Sequence, residues 1–347
     1  MSNTHGTKPP VIADVARVAG VSVPTVSRVL TGTAKVSAEK RERVLSAIEE
    51  LHYRPSAAAR ALVSRQPQII AVLAGNTSQY GYAETIRGIE EHARVAGYLV
   101  TITVVESPDD QSVEQAVTLV MKQPLAGIAV LKFDPPGVAV LHKLPRDIPT
   151  VSISGVRETG VPQAVLDETA AAEELTNYLL DLGHATVHHV RVPPSRREDG
   201  RTTGWRRALR SRGAKEPTAL EATWEPESGR RIGTELALRD DVTAVFCGND
   251  EIAMGVIRGL TDGGRAVPDD VSVVGFDDHP LASMWLPALT TVRQDFASLG
   301  TRACEMLIKL IAGEPVRMFS SERPTLVLRE SAVPPHGQHR DDRAPTS

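Results

Sequence analysis

The stretch that decides the fold of the N-terminal part is residues 12–30, IADVARVAGVSVPTVSRVL. Its first apolar side chains recur at the spacing of one helix face, at Ile12, Val15, Ala16 and Ala19. Gly20 ends that helix, and Ser22 is a favourable N-cap for a second helix over about residues 23–30. Two short helices joined by a tight glycine turn are typical of a helix-turn-helix.

The residues that follow complete a small all-α unit. We expect the second helix to turn three side chains inward: Val26, Val29 and Leu30. A third helix, capped by Ser37, carries the apolar stripe Val44, Leu45, Ile48 and Leu51. Pro55 then ends the helical pattern, because the residue before a proline avoids helical backbone angles.

The composition bounds the class of protein. The chain has 347 residues, 41% of them hydrophobic and 24% charged, which suits two or three globular domains. No apolar run reaches the ~20 residues that span a bilayer, and residues 1–10 do not resemble a secretory signal. The two cysteines, Cys247 and Cys304, provide neither a disulfide framework nor a four-ligand zinc site. We therefore expect a cytoplasmic protein.

The charge is divided unevenly along the chain. Residues 1–66 hold ten Lys or Arg and five Asp or Glu, a net charge of +5, whereas the remainder has a net charge of −9. A small basic head on an acidic body indicates that one end alone binds a polyanion.

From Ile69 onward, apolar runs alternate with amphipathic segments. Predicted strands lie at 69–73, 99–105, 127–131, 150–153, 164–166, 186–190, 219–223, 242–246 and 271–276. Predicted helices lie at 83–96, 111–122, 136–144, 169–182, 200–212, 228–238 and 250–262. β-branched runs separated by helices indicate parallel sheets covered on both faces. Because nine strands are too many for one small sheet, the pattern predicts an α/β body with two doubly wound parallel-sheet lobes.

These patterns divide the chain into parts. We expect a disordered N-terminus at 1–10, a helix-turn-helix domain at 11–55, a linker at 56–66, the α/β body at 67–334 and a flexible tail at 335–347. Within the body, the N-lobe is expected at 67–164 and 296–322, and the C-lobe at 165–295 and 323–334.

The second helix has the chemistry of a nucleic-acid reader. A basic helix after a tight turn fits the major groove. Arg28 can present two parallel donors to O6 and N7 of guanine, worth ~1–3 kcal/mol of base discrimination. The same residues also fit a three-helix protein-interaction module with an exposed arginine, and their spacing leaves both alternatives open.

Separated motifs carry a family resemblance. In the head they are IADVARVAGVS (12–22), TVSRVL (25–30), VS (36–37), RERV (41–44), LHYRP (51–55) and SAAARAL (56–62). In the body they are RTTGW (201–205), TW (223–224), GNDE (248–251), VGFDD (274–278) and LTTVRQDF (289–296). The chain resembles the lactose/galactose-repressor (LacI/GalR) family. The resemblance implies a homodimeric regulator in which a two-lobed, periplasmic-binding-protein-like body binds a small sugar or glycoside and controls operator affinity by allostery.

The resemblance also assigns DNA contacts. Base edges would be contacted by Val23, Pro24 and Arg28, and phosphates or neighbouring bases by Ser22, Thr25 and Ser27. Many relatives have larger polar side chains at the first two of these positions. Val23 and Pro24 leave only apolar contact to thymine methyl groups, so the resemblance does not fix the operator sequence.

The Ala-rich residues 56–63 correspond to the hinge helix of the family. A helix of about two turns is marginal in water by itself. Leu62 would be the wedge that opens a central base step in the minor groove, with Ser56, Ala59 and Arg60 as further DNA contacts. A plain Ala-rich linker is the alternative.

An effector site is predicted beyond the carboxyl ends of the strands, where open α/β sheets bind ligands. The resemblance assigns to it Tyr80, Ser154, Arg201, Trp224, Asn249, Asp277, Gln294 and Phe296. Arg201, Asn249 and Asp277 would hold sugar hydroxyls, and Trp224 would stack on the ring. Ser154 stands where several sugar-responsive relatives have aspartate. Helix capping and turn chemistry remain the alternative for Asn249 and Asp277.

We therefore expect a bacterial repressor of carbohydrate-utilisation genes, active as a homodimer on double-stranded operator DNA. A purine or phosphorylated effector, and a sugar-binding transport protein, are the alternatives. An enzyme is not expected, since the chain has no G-x-G-x-x-G after a strand, no Walker A motif and no G-x-S-x-G. No cofactor or metal is expected, and no membrane.

Overall fold

The computed structural model describes residues 10–31, 36–53, 67–158, 160–193 and 199–335. The chain forms two compact units, Met1–Gln68 and Ile69–Ser347. The residues predicted to form the hinge contacts, Ser56, Ala59, Arg60 and Leu62, lie outside the described residues, as do 1–9 and 336–347 of the two predicted tails.

The described residues of the first unit form three helices: α1 (Ile12–Ala19), α2 (Val23–Thr31) and α3 (Ala38–Glu50). They share a core of Val15, Ala16, Ala19, Val26, Val29, Val44, Ala47 and Tyr53. Gly20 ends α1 in the left-handed region, with φ at 63°, and its N–H donates to the last turn of the helix. Glycine adopts this conformation without strain and so permits the tight turn into α2. The predicted helix-turn-helix is confirmed.

Three details of this unit differ from the prediction. Leu45 is 52% exposed, because the buried stripe of α3 runs through Val44 and Ala47 and a one-residue offset turns a side chain by about 100°. Leu30 is 38% exposed, since a three-helix core is too small to enclose every apolar side chain. Ser37 occupies the N-cap position of α3, but its side chain makes no capping hydrogen bond.

The N-lobe is built on a six-stranded parallel sheet. Its strands are β1 (Ile69–Ala74), β2 (Leu99–Val104), β3 (Leu125–Leu131), β4 (Thr150–Ser154), β5 (Gln163–Leu166) and β11 (Phe319–Glu322), in the order β11-β5-β4-β3-β1-β2. One face is covered by α4 (Tyr80–Val95) and α11 (Phe296–Ile311), the other by α5 (Asp110–Met121) and α6 (Pro135–Lys143). The central strands read as continuous apolar runs because both faces are buried.

The C-lobe repeats this plan on a smaller scale. Its parallel sheet has the order β7-β6-β8-β9, formed by β6 (His188–Arg191), β7 (Leu220–Glu221), β8 (Ala244–Cys247) and β9 (Ser272–Val274). The helices that pack on it are α7 (Glu168–Asp181), α8 (Gly200–Ser211), α9 (Pro226–Ala237) and α10 (Asp250–Asp262). An antiparallel ribbon of β10 (Thr291–Arg293) and β12 (Thr325–Val327) lies beside it. The predicted two-lobed α/β class is confirmed.

The chain passes between the lobes three times. It crosses between β5 and α7, between β10 and α11, and between β11 and β12. The expected boundary between residues 164 and 165 is wrong in detail, because it falls inside β5. That strand pairs with β4 as far as Val165 and with β11 as far as Leu166, so the first crossing begins after Leu166. Among the described helices, none is long and apolar enough to cross a membrane.

Two glycines let α4 and α11 pack closely over the N-lobe sheet. A Cβ atom on Gly88 would collide with the backbone carbonyl of Ala297, and one on Gly300 with the carbonyl of Thr85. Because backbone atoms cannot move aside as a side-chain end can, both positions require glycine.

Gly88→Ala tests this close packing. Helix propensity alone predicts stabilisation of about 1 kcal/mol, whereas the collision with Ala297 predicts net destabilisation of about 1–3 kcal/mol. Urea unfolding of the full chain measures the sign. Arg94→Ala, on the exposed face of the same helix, is the control and should change stability by less than about 0.5 kcal/mol. A Gly88→Ala variant more stable than wild type would contradict the packing argument.

Candidate functional site

The head presents one face of α2 to solvent. Val23, Pro24 and Arg28 are exposed, while Val26 and Val29 are buried in the three-helix core. The predicted DNA-contacting residues on this helix therefore share its outer side. The half-buried Thr25 hydroxyl is 2.9 Å from the Ser22 hydroxyl at the start of the helix, and Ser27 is also half-buried.

The candidate effector site lies where helices begin after strands. Tyr80, Glu168 and Phe296 are the first residues of α4, α7 and α11, and Arg201 is in the first turn of α8. In a parallel sheet, the carboxyl ends of strands and the N-termini of the following helices share one edge. The fold thus brings together side chains that are far apart in sequence.

Arg201 is the centre of the site. It is 7% exposed, and its Nη2 is 2.9 Å from Glu168 Oε1 and 3.1 Å from Asp277 Oδ1. Its Nη1 donates to the carbonyl oxygen of Gly248. The guanidinium also lies over the Phe276 ring, 4.6 Å from its centroid. One cation thus serves two carboxylates in a largely dry environment, where charge interactions are strong.

Gln294 completes what we call the Arg201 cluster: Arg201, Glu168, Asp277 and Gln294. Its Nε2 donates to Asp277 Oδ1 at 2.8 Å and lies 3.5 Å from Glu168 Oε1. The side chain is 3% exposed, and its Oε1 is buried without a hydrogen-bond partner among the described residues. The carboxylates fix the orientation of the amide, so an acceptor is left over.

The electrostatic balance of the cluster is visible at Asp277. Burial raises the pKa of Asp277 to about 7, although Arg201 and Gln294 both favour its charged form. The negative charges of Glu168 and Glu251 raise the pKa further. Near neutral pH this carboxyl group is therefore close to half protonated, and it can accept or donate a hydrogen bond.

Asp250 fixes the loop that carries Asp277. Its two carboxylate oxygens accept from the Thr291 hydroxyl and the His279 backbone N–H, each at 2.6 Å. Burial raises the pKa of Asp250 well above its usual range. Asp277 and Asp278 have positive φ angles of 112° and 54°. Such backbone is strained for residues other than glycine and persists only where its surroundings hold it, often at functional sites.

A second network fixes the start of α8. The N–H and hydroxyl of Thr202 are 2.7 and 2.8 Å from the Asp199 carboxylate. The His189 ring lies 3.1 Å from that hydroxyl through Nε2 and 2.9 Å from the Phe246 carbonyl oxygen through Nδ1. Burial lowers the pKa of His189 to about 4, so the ring is neutral at pH 7. These contacts hold the residue next to Arg201.

Aromatic rings from both lobes meet beside the cluster. Tyr80 is 4.9 Å from His279 and 5.9 Å from Phe296, measured between ring centroids. Phe133 is 6.3 Å from Phe296 and 5.2 Å from Tyr82. We call these five residues the aromatic wall. Aromatic rings present flat apolar faces at this point of the body.

Three predicted effector residues lie apart from these contacts. Asn249 is the N-cap of α10, with its Oδ1 accepting from the Ile252 N–H at 2.8 Å, which is the capping alternative. The buried Ser154 hydroxyl accepts from the Val156 N–H at 3.1 Å. Trp224 is half-buried against the C-lobe core. In the described part of the chain, no hydrogen bond or ion pair joins these three to the Arg201 cluster.

Sequence reasoning missed Glu168, Phe133 and His279. An acidic residue in the first turn of a helix is usually explained by the helix dipole, so Glu168 gave no separate signal. His279 directly follows the predicted Asp277-Asp278 pair and Phe133 follows β3, so position at a strand end could have indicated both. Among the described residues, no group of three His, Cys, Asp or Glu is placed to hold a metal ion.

A helix-turn-helix head and a two-lobed α/β body with a polar and aromatic site at its strand ends define a ligand-responsive DNA-binding regulator. Residues 11–56 match "Bacterial regulatory proteins, lacI family", and residues 176–332 match "Periplasmic binding protein-like domain". The HTH-type transcriptional repressor PurR of Erwinia tasmaniensis is 35% identical over 341 residues, covering 96% of this chain and 99% of its own. The chain belongs to the lacI family of transcription regulators.

Solved structures of transcription regulators have a similar fold. The lac repressor dimer bound to operator and the anti-inducer ONPF has a TM-score of 0.86 at 28% identity, covering 94% of this chain and all of that one. The complex of the transcriptional regulator CelR with cellobiose has a TM-score of 0.67 at 27% identity, covering 93% of this chain and all of that one.

Asp277→Asn should flatten the pH dependence of stability. An aspartate in the unfolded chain titrates near ~3.9, so between about pH 4 and 7 the folded protein holds a proton that the unfolded chain lacks. That stabilisation is present at low pH and is lost as the pH rises towards 7, with a slope of up to about 1.4 kcal/mol per pH unit. Urea unfolding at pH 5, 6 and 7 measures it.

The control for this prediction is Asp240→Asn, which removes an exposed carboxylate. It should keep the slope of the wild type. Equal slopes for wild type and Asp277→Asn would show that Asp277 titrates as it does in the unfolded chain.

Proposed function

We propose that this chain is a homodimeric bacterial repressor whose head reads a two-fold operator and whose body binds a small sugar or glycoside. The observation that carries the effector part is the Arg201 cluster beside the aromatic wall. Hydroxyl groups need paired donors and acceptors, and the ring needs flat apolar surface. A repressor with such an effector would control carbohydrate-utilisation genes. We place its action in the cytoplasm.

The proposal for DNA rests on the outer face of α2. Val23 and Pro24 would contact thymine methyl groups, and Arg28 a guanine, while Ser22, Thr25 and Ser27 would reach phosphates or neighbouring bases. Residues 56–66 would act as the hinge, with Leu62 as the minor-groove wedge. The lac repressor structure with operator DNA is a relative that supports this reading.

The proposal of a homodimer is supported by exposed apolar residues in the body. Ile102 and Val104 lie on the edge strand β2, and Leu281, Met284 and Leu286 follow the Asp277 loop. Exposed apolar patches on soluble proteins mark interaction sites, and a two-fold dimer buries the same patch twice.

The effector proposal is supported by chemistry and by relatives. The complex of the transcriptional regulator CelR with cellobiose is a similar structure that contains a sugar. A purine is the second candidate, because the aromatic wall would also stack on a flat heterocycle.

Arg28→Ala should relax base preference at one operator position. Loss of a bidentate contact to guanine costs ~1–3 kcal/mol for that base and little for others. Operator fragments with each base at each position, titrated by fluorescence anisotropy, measure the effect. The control is Arg17→Ala, which removes the same charge from α1, where Arg17 pairs with Asp14 at 2.9 Å. Uniform weakening over all sequences by Arg28→Ala would assign this arginine to phosphate.

Asp277→Ala should abolish the effector response while operator binding stays intact, because Asp277 is in the body and not in the head. A thermal-shift screen of monosaccharides, disaccharides and purines identifies ligands, and operator binding with each hit measures the response. The control is Asp240→Ala, which should respond like wild type. A normal response of Asp277→Ala would remove Asp277 from the effector site.

A further inference from the structure

The Arg201 cluster has more acceptors than donors. Both Nη groups of Arg201 already donate to protein oxygens, which belong to Glu168, Asp277 and Gly248. The Nε2 of Gln294 donates a hydrogen bond to Asp277. The hydrogen bonds of the cluster use Glu168 Oε1 and Asp277 Oδ1, which leaves the second oxygen of each carboxylate without a hydrogen bond among the described residues, and Gln294 Oε1 is unpartnered as well. The site therefore favours a ligand that supplies donors over one that supplies only acceptors.

When Glu168 and Asp277 are both ionised, the cluster also has more negative than positive charge. Arg201 is the one cationic side chain that contacts Glu168 or Asp277 in the described part of the chain. Glu251, from α10, is a further acidic group close enough to raise the pKa of Asp277. The aromatic wall adds Tyr80, which is neutral, and His279. A buried carboxylate without its own cation is costly, and it gains most from a ligand that brings a positive charge.

We propose that the effector is a sugar that carries a free ammonium group, and that Glu168 sets this preference. The proposal rests on the effector site of the proposed function and names the ligand class within it. An ammonium group supplies three donors and one positive charge, whereas a phosphate supplies acceptors and negative charge. Phosphorylated sugars are then the effectors that this site selects against.

Glycine positions make room for Glu168. A Cβ atom on Gly155 would collide with the Glu168 carboxylate, and one on Gly200 would touch the Glu168 side chain. Glu168 is itself 8% exposed. The carboxylate is therefore held in a fitted space, which a loose surface acid would not require.

Calorimetric titration of the full-length protein at pH 6 tests the proposal. The probes are glucosamine and galactosamine, each compared with its parent sugar, its N-acetyl derivative and its 6-phosphate. The amino sugar of at least one pair should bind tenfold or more tightly than its parent, a difference of about 1.4 kcal/mol. The 6-phosphate of that sugar should bind more weakly than the parent. Glu168→Gln should reduce the preference for the amino sugar over its parent sugar to about twofold, because it removes the carboxylate that the ammonium group would meet.

A second measurement uses the wild type alone. An ammonium beside Asp277 favours its charged form, so binding of the amino sugar at pH 6 should release protons, and the parent sugar should release fewer. Titrations in two buffers of different ionisation enthalpy measure the difference. Because this measurement uses only the wild type, it tests the proposal even if the Glu168→Gln variant fails to fold.

The outcomes separate the two proposals. Parent sugars that bind as tightly as amino sugars, or a Glu168→Gln variant that folds and keeps the preference, would overturn this inference and leave the sugar-effector function standing. Purines that bind and alter operator affinity while no sugar binds would overturn both.

Discussion

The body depends on one constraint: a single guanidinium must satisfy acceptors from three separate segments. Arg201 joins the start of α7 through Glu168, the loop after β9 through Asp277, and the segment after β8 through the Gly248 carbonyl. Burial makes these interactions strong and makes loss of the cation costly, because two carboxylates would remain with no countercharge. The strained backbone at Asp277 and the Asp250 hydrogen bonds can be understood as the framework that holds this arrangement.

Much of the fold could be predicted from periodicity, because parallel strands buried on both faces leave continuous apolar runs. All nine predicted strands and seven predicted helices of the body are present, with ends displaced by at most three residues. Periodicity does not determine which residues of an apolar stripe face the core, as the exposed Leu45 shows. It also does not determine whether a residue at the edge of a small core is enclosed, as the exposed Leu30 shows. The short strands β10, β11 and β12 also lacked a signal, because pairing with distant partners defines them.

The candidate site was less predictable, because its members are chosen by tertiary position. Glu168 has the sequence context of any acid at a helix start, and only the fold shows that it meets Arg201. Asn249 is the opposite case, because its position directly after β8 predicts an effector contact and the structure shows its Oδ1 capping α10. The basic head gives a third case. Within residues 10–31 and 36–53, basic and acidic side chains are equal in number, so the excess charge lies on Lys8, Lys35, Arg54, Arg60 and Arg65. Phosphate attraction, which scales with the charges neutralised, would then come from segments that flank the helices.

The cluster lies where the chain crosses between the lobes, which bears on the proposed allosteric control. Two of its members lie on the crossings between the lobes: Glu168 directly after β5, and Gln294 between β10 and α11. The N-cap residues at these crossings, Asp167 and Asp295, have nearly the same backbone angles, with φ of −83° and −87° and ψ of 73° and 80°. Hinges are a few residues at element ends that absorb backbone change. A ligand shifts a conformational equilibrium only by its differential affinity for the two states. Under the proposed function, a ligand would contact Glu168 and Gln294 where the lobes are joined, so contacts that differ between two lobe arrangements would give it the differential affinity that allostery requires.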